Sequence, residues 1–288
     1  MSGTRSDVRS DVRADARADE GVGGIDADAA AYLALLSAQG VAVTGVQSSA
    51  IDAFYVTGKD EGWYSALKRM YLPIWAAAGP NAIDLIGGQS GTFSGSMTHG
   101  AGFVTGDGSS SYFDSGATPS AMGISTGDAF ILRGIHASPA TALHIACGVE
   151  QTSSSQSLAM LNFGNTHGSA GVTYFRQSTS PAEALLTGQG TEYRGVYIGS
   201  CTATDSRFML RRRSGGTAVG TSGVSSTEAI KDLNPYFMGR NRAGTLNSPS
   251  NGSEFAWALG TGMTQAQATD FTAALETMWE TCTGLTLF

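Results

Sequence analysis

Few residues in this chain stand at spacings that chemistry requires. Ser65-Ala-Leu-Lys68 has the S-x-x-K spacing in which a lysine activates a serine nucleophile, but the S-D-N and K-T-G segments that complete such a site are missing from the sequence. No P-loop or H-E-x-x-H pattern occurs. His99, His136, His144 and His167 are scattered, and only His136 and His144 are placed to meet across a hairpin. A metal site needs about three or four convergent ligands with supporting partners. Asp107, Asp114 and Asp128 lie beside glycine-rich loops and are acids of the kind that hold calcium, the one cofactor the sequence leaves open. Calcium takes roughly six oxygens or more, and Asp107 equally suits a turn. A glycoside hydrolase places two carboxylates about 5–9 Å apart across a cleft. Here Glu150, Glu183, Glu192, Glu228 and Glu254 each stand alone on their segments. The chain reads as non-enzymatic, with no cofactor.

Binding chemistry is better represented. In Arg211-Arg212-Arg213, an extended backbone puts Arg211 and Arg213 on one face, where they would grip an acidic glycan or neighbouring subunit. The same cluster also suits a solvated edge strand, where cations deter edge-to-edge pairing. Tyr193, Tyr197, Tyr236, Phe237 and Trp257 would make a stacking platform for sugars or, at strand alternation, a core. Arg211, Arg213 and Trp257 are the candidate glycan or partner contacts.

The other constellation is the N-terminal repeat, Arg-Ser-Asp-Val twice, then Arg-Ala-Asp-Ala and Arg-Ala-Asp-Glu, over residues 5–20. On a helix, a period of four stacks Arg on Arg and Asp on Asp, which is unfavourable. In an extended chain, Arg5, Asp7, Arg9, Asp11, Arg13, Asp15, Arg17 and Asp19 share one edge with alternating sign, and small residues share the other. The repeat reads as an extended assembly arm, self-complementary in charge, or as a solvated tail in the free protein. It implies a homo-oligomer, most simply a trimer.

Composition sets the bounds. Charged residues are 14% of 288, glycines number 39 and prolines 7, a turn-rich β composition unlike a lysine- and glutamate-rich enzyme surface. A net charge of −7 argues against nucleic acid, which calls for a basic stripe. No apolar stretch approaches the ~20 residues that span a membrane, so no membrane insertion is expected. The N-terminus lacks the basic-then-apolar pattern of a secretion signal. Cys147, Cys201 and Cys282 are odd in number and far apart, and read as buried free thiols.

Elements follow from period and punctuation. After a Gly21–Gly24 hinge, Asp26 or Asp28 caps a helix with Ala29, Tyr32, Leu33 and Leu36 on its apolar stripe, ended by Gly40. Ser49 and Asp52 suggest a second helix ended by Gly58, and a third is expected from Glu61 to Tyr71, stopped by Pro73. From Ala82 onward, short apolar runs alternate with turn residues about every ten positions, the pattern of a sandwich or jelly roll. Gly102–Gly116 reads as strand, tight turn at Gly106-Asp107-Gly108, and return strand. Thr217–Gly223 is a loop or edge hairpin. Thr264 and Gln267 open a last amphipathic helix, which Gly284 closes.

Gly-Asp-Gly-Ser-Ser-Ser-Tyr-Phe-Asp-Ser-Gly at 106–116 resembles a signature of phage structural proteins that carry a concanavalin-like (laminin-G-like) jelly roll. The preceding helical stretch, the Phe255–Thr264 segment and the final helix are similar to that family in type and order, over roughly residues 48–282. The resemblance implies a mainly β fold: a concanavalin-like β-sandwich preceded by an extended arm and short α-helices, with a C-terminal α-helix. The expected organisation is an arm at 1–24, a helical anchoring segment at 25–80 and a jelly roll with its helix at 81–288. The implied protein is a virion component, assembled in the host cytoplasm, that contacts other virion proteins through residues 1–80. It would sit on a tail or fibre and offer a lectin-like domain to host surface glycans. Alternatives are a capsid decoration or head-fibre protein and a free carbohydrate-binding module.

Overall fold

The computed structural model describes residues 24–138, 145–152, 156–163, 172–177, 183–187, 193–214 and 216–288. The Arg/Asp repeat, His144, His167 and Glu192 lie outside the described residues. The described chain forms three layers: helices, an eight-stranded sheet and a nine-stranded sheet. It is mainly β, a two-sheet sandwich preceded by short helices and closed by a C-terminal helix.

The long helices are α1 (Ala27–Ala38), α2 (Gly45–Asp60) and α3 (Gln265–Thr283), and a single helical turn stands at Ala78–Asn81. Asp26 caps α1, accepting the N–H groups of Asp28 and Ala29 at 3.0 and 3.4 Å. Helix α2 opens earlier than Ser49 and Asp52 suggest, through a reciprocal capping box of Thr44 and Gln47. Asp52 is inside the helix and accepts the Asp26 N–H at 2.6 Å. Gly58 does not end α2, because the helix continues under Trp63, whose ring a Cβ there would meet at 2.6 Å. Helix α3 matches its sequence pattern throughout: the Thr264/Gln267 box opens it, Phe271, Leu275, Met278, Trp279 and Cys282 are buried, and Gly284 closes it at φ 69°.

The helix expected at 61–71 is instead one short 3₁₀ turn at Tyr64–Ala66 followed by strand β1 (Leu67–Tyr71). β1 pairs antiparallel with Ser253–Gly260, so a partner nearly two hundred residues away overrides a weak local helix pattern. Met70 enters the core under the helices and Tyr71 the core between the sheets, which neighbouring residues on a helix do not do.

The eight-stranded sheet runs β13 (Gly216–Ser222), β12 (Ser206–Arg213), β11 (Gly195–Ala203), β6 (Ala129–Ala137), β17 (Ser253–Gly260), β4 (Val104–Gly106), β3 (Met97–His99), with β1 also on β17. The nine-stranded sheet runs β10 (Glu183–Leu186), β9 (Val172–Gln177), β8 (Ser157–Phe163), β7 (Ile145–Glu150), β14 (Tyr236–Phe237), β5 (Tyr112–Asp114), β2 (Thr92–Ser94). Beside β7 it adds β15 (Gly239–Arg242) and β16 (Thr245–Asn247). The 102–116 stretch is therefore not a hairpin. Its first strand, β4, belongs to one sheet and its second, β5, to the other, and the turn carries the chain across the sandwich edge.

The alternation in β6 sorts the two cores. Phe130 and Leu132 meet the helices, while Ile131 and Ile135 meet the second sheet. Ala29, Tyr32, Ile51 and Phe54 from α1 and α2 join Phe271 and Trp279 of α3 in the first of these cores. Helices α1 and α2, early in the described chain, and α3, near its end, thus complete one layer over the same sheet. Segment 217–222 is the strand β13 rather than a loop. All three cysteines are free and buried, and burial pushes each thiol up to about 12.

Candidate binding face

The two sheets differ in what covers them. The outer face of the eight-stranded sheet packs against α1, α2 and α3. Among the described residues, no helix contributes to the core between the sheets or to the apolar cluster of Ala146, Ala159, Leu161 and Tyr174 on the outer face of the nine-stranded sheet. That cluster is itself buried, and the polar groups of the face lie to either side of it.

Strand registers place one residue from each strand in a transverse row: Glu183, Arg176, Ala159, Gly148, Tyr236, Asp114, Thr92. Alternation orients the row, since Phe175, Cys147, Phe237 and Phe113, one residue away, all enter the sandwich core. One end of the row is ionic, the middle is Ala and Gly, and the other end is aromatic. Three strand spacings separate Arg176 from Tyr236, about 14 Å.

At the ionic end, Glu150 is 1% exposed and binds two guanidiniums, Arg176 at 3.2 Å and Arg240. Arg176 also binds Glu183, through Nε at 2.6 Å, and lies 5.0 Å from the centre of the Tyr174 ring. Arg240 Nε donates to Asn247 at 2.9 Å, and Arg242 donates to the Thr152 carbonyl at 2.6 Å. Burial works against the Arg176 charge, but Tyr174, Glu183 and Glu150 outweigh it and its pKa rises. Burial lowers the pKa of Arg240 despite Glu150. Burial also pushes the Tyr174 phenol up to about 12, so it stays a donor at neutral pH.

At the aromatic end, Tyr112 and Tyr236 stack with ring centroids 4.2 Å apart and 27° between planes, and both are half-buried. Burial, then Tyr112 and Asp114, push the Tyr236 phenol up to about 12. Asp114 accepts from Asn234 at 2.9 Å and from the Gly116 N–H at 2.8 Å. Half-exposed tyrosines beside a fixed carboxylate, here Asp114, are groups that stack on sugar rings and pair with hydroxyls.

The candidates singled out in the sequence lie elsewhere. Arg211 is fully buried between the sheets, 5.1 Å from the Tyr197 ring centre, donating to the Arg194 carbonyl at 2.8 Å. Trp257 is fully buried, stacks on Phe113 and Phe237, and donates to Glu254 at 2.7 Å. Glu254 also pairs with the buried Arg133. Arg212 points to the helix layer and pairs with Glu276, while Arg213 is half-buried at the strand end. The three arginines thus alternate as a strand requires, but β12 is an inner strand flanked by β13. Neither Arg211 nor Trp257 faces solvent. Of the aromatic set, Tyr193, Tyr197 and Phe237 are core, and Tyr236 alone is partly exposed.

The glutamates isolated in sequence do not stay isolated. Glu150 and Glu183, on β7 and β10, share the single guanidinium of Arg176. The signal that could have found them is the charged residue placed two positions from another outward residue on otherwise apolar strands: Tyr174/Arg176, Glu183/Leu185, Arg240/Arg242. The aspartates weighed for calcium do not converge. Asp107 takes the N–H groups of Ser109, Ser110 and Ser111 at 2.8–2.9 Å and the Ser110 hydroxyl at 2.6 Å, which holds its carboxyl well below the usual range. It builds the crossover turn. Asp128 accepts from the Gly262 N–H at 2.6 Å. Ser65 and Lys68 do not meet as a nucleophile and its base. Ser65 Oγ donates to Gly62 O and Lys68 Nζ to Ser65 O.

No protein family and no curated protein matches the chain. Solved structures give partial likenesses. A carbohydrate-binding module (CBM40) of the Ruminococcus gnavus IT-sialidase is 12% identical at TM-score 0.36, covering 50% of this chain and 83% of that one. The CBM2 module of the evolved Dit of Lactobacillus casei BL23 phage J-1 is 10% identical at 0.35, covering 59% and 81%. A Trypanosoma rangeli sialidase in complex with sialic acid is 11% identical at 0.44, covering 79% of this chain and 39% of that one.

Proposed function

We propose that this protein is a non-enzymatic, glycan-binding component of a phage virion, associated with the tail or fibres, and that the nine-stranded sheet is its outward face. One observation carries the proposal. Of the two sheets, one is backed by three helices, and the other carries a stacked tyrosine pair toward one end of its outer face and a cross-strand ionic network toward the other. In this reading the helix layer is the attachment side, and the Arg/Asp repeat serves assembly. The low-charge β composition and the resemblance at residues 106–116 support the virion assignment.

Hydrolysis is disfavoured on geometric grounds. Glu150 and Glu254 lie on opposite sides of the nine-stranded sheet and cannot flank one bond. Glu150 and Glu183 share a face, and both carboxylates are engaged by the Arg176 guanidinium.

Two experiments test the proposal. Screening the full chain against bacterial surface glycans should give a defined set of ligands with no product release; no binding to any glycan would remove the lectin reading. Immunogold labelling of intact particles should mark the tail tip or fibres. Label over the head would make the protein a capsid decoration. Absence from particles by mass spectrometry would leave a free carbohydrate-binding module.

A further inference from the structure

The polar groups on the outer side of the nine-stranded sheet differ in whether the protein has already used them. At the ionic end they are spent on one another. Glu150 holds Arg176 and Arg240, Glu183 holds Arg176, Arg240 also donates to Asn247, and Arg242 donates to the Thr152 carbonyl. At the aromatic end they are not. Asp114 accepts from Asn234 and from the Gly116 N–H, and both bonds fall on Oδ1. Oδ2 has no hydrogen-bond partner among the described residues and is not a buried atom, so it opens to solvent. Strand pairing sets its neighbours. Tyr236 and Thr92 stand opposite Asp114 on either side, and Ser94 stands opposite Tyr112. The intervening Phe93, Phe113 and Phe237 turn toward the core between the sheets. Thr92 is exposed, and Ser94, Tyr112, Asp114 and Tyr236 are half-buried.

The charge of this patch is one-sided. Thr92, Ser94, Tyr112 and Tyr236 are neutral, and Asp114 is the carboxylate among them. The ring pair feels its field: after burial and Tyr112, Asp114 helps push the Tyr236 phenol up to about 12. Arg240 is turned to Glu150 and Asn247. Arg176 stands about 14 Å from Tyr236, beyond the ~8 Å reach of an exposed charge at physiological salt. A carboxylate oxygen without a partner accepts sugar hydroxyls, and it repels a second carboxylate brought to the same place. We propose that Asp114 is the specificity-determining residue of the tyrosine site: its Oδ2 accepts a hydroxyl of an uncharged sugar lying against Tyr112 and Tyr236, and its charge excludes sugars that carry a carboxylate. A hydroxymethyl group and a carboxylate at the same ring position are then told apart by sign. The first donates to Asp114, and the second leaves two anions facing each other. The two bonds on Oδ1 hold the carboxylate in place, so little ordering is needed when a sugar arrives. The inference rests on the reading of the tyrosine pair as a glycan site.

The test uses the full chain and matched probes, the methyl glycosides of glucose, galactose and mannose and those of the corresponding uronic acids, titrated by saturation-transfer NMR. At least one hexoside should bind about tenfold or more tightly than its uronide. Raising salt from about 0.05 to about 0.5 M should strengthen the uronide and leave the hexoside unchanged, because only the repulsion between anions is screened. Asp114→Asn keeps an Oδ1 acceptor for Asn234 and Gly116 and replaces the open oxygen by a donor. In that variant the hexoside should weaken, the uronide should gain, and the preference should fall to about threefold or less. Three results would overturn the inference and leave the glycan site standing: equal binding within every pair, a preference for a uronide, or a preference that Asp114→Asn does not change, each with binding lost in Tyr112→Ala/Tyr236→Ala. Binding of no probe, or binding untouched by the double substitution, would remove the glycan site and the inference with it. The salt series needs no substitution and decides the matter should Asp114→Asn fail to fold.

Discussion

The two sheets share one core yet hold polar groups in opposite ways. The eight-stranded sheet turns its outer face to helices, and it meets them mainly through rings, Phe130 on Phe271 and Phe255 on Trp279, beside the ion pair of Arg212 and Glu276. The nine-stranded sheet carries on its outer side a network in which Glu150, Arg176 and Arg240 each touch more than one partner and the members come from β7, β9, β10 and β15. The first arrangement is a stability device, since each ring removed opens a cavity. The second fixes directions for hydrogen bonds at a surface. The comparison therefore separates residues whose loss unfolds the protein from residues whose loss disarms it.

The largest effects are expected on the helix-backed side and in the core between the sheets. Trp279→Ala removes a buried ring and the bond its Nε1 donates to the Gly102 carbonyl at 2.9 Å, and should cost about 3–5 kcal/mol in denaturant unfolding. Glu254→Ala strands Arg133 between the sheets and should cost a similar ~3–5 kcal/mol. A loss under ~1 kcal/mol for either would break the division of roles. Glu150→Gln should cost less, about 1–3 kcal/mol, because Arg176 keeps Glu183 and Arg240 keeps Asn247. If it equals Glu254→Ala, the outer network is structural rather than a binding device.

Asp107 sharpens the comparison at the crossover between the sheets. Its folded carboxyl titrates below the ordinary value of about 3.9, so its stabilisation is present above that pH and lost as pH falls through the folded value. Wild type should exceed Asp107→Asn in stability at about pH 6, with the gap narrowing toward about pH 2 in parallel unfolding curves. A gap constant with pH would contradict the turn's dependence on charge. The smallest effect concerns the thiols: native protein at about pH 8 should leave Cys147, Cys201 and Cys282 unmodified by a thiol reagent, and denatured protein should titrate all three.

What was legible in the sequence follows the same division. Helix α3 could be read to the residue because its signals are local: the Thr264/Gln267 box, the apolar stripe and Gly284 all lie within twenty-one positions. β6 was legible because alternation within one strand reports both of its faces. β1 was not, because Lys68-Arg69 looks like a helix surface until β17 pairs with it. Nor was the role of residues 102–116, since two short strands and a turn look alike whether they pair with each other or part to different sheets. The ionic row was invisible for a related reason: Glu150, Arg176, Glu183 and Arg240 span ninety positions, and only strand order joins them. Arg211 and Trp257 were singled out for residue type, and type does not distinguish a sugar contact from a core pair.

The central claim is that the outer face of the nine-stranded sheet binds glycan at its half-exposed Tyr112–Tyr236 pair. The most direct measurement is titration calorimetry of a screened ligand into wild type and the Tyr112→Ala/Tyr236→Ala double variant, alongside their unfolding curves. The account predicts at least a tenfold loss of affinity in the double variant, with a stability change of about 1 kcal/mol or less per site. Unchanged affinity in a folded double variant would contradict it.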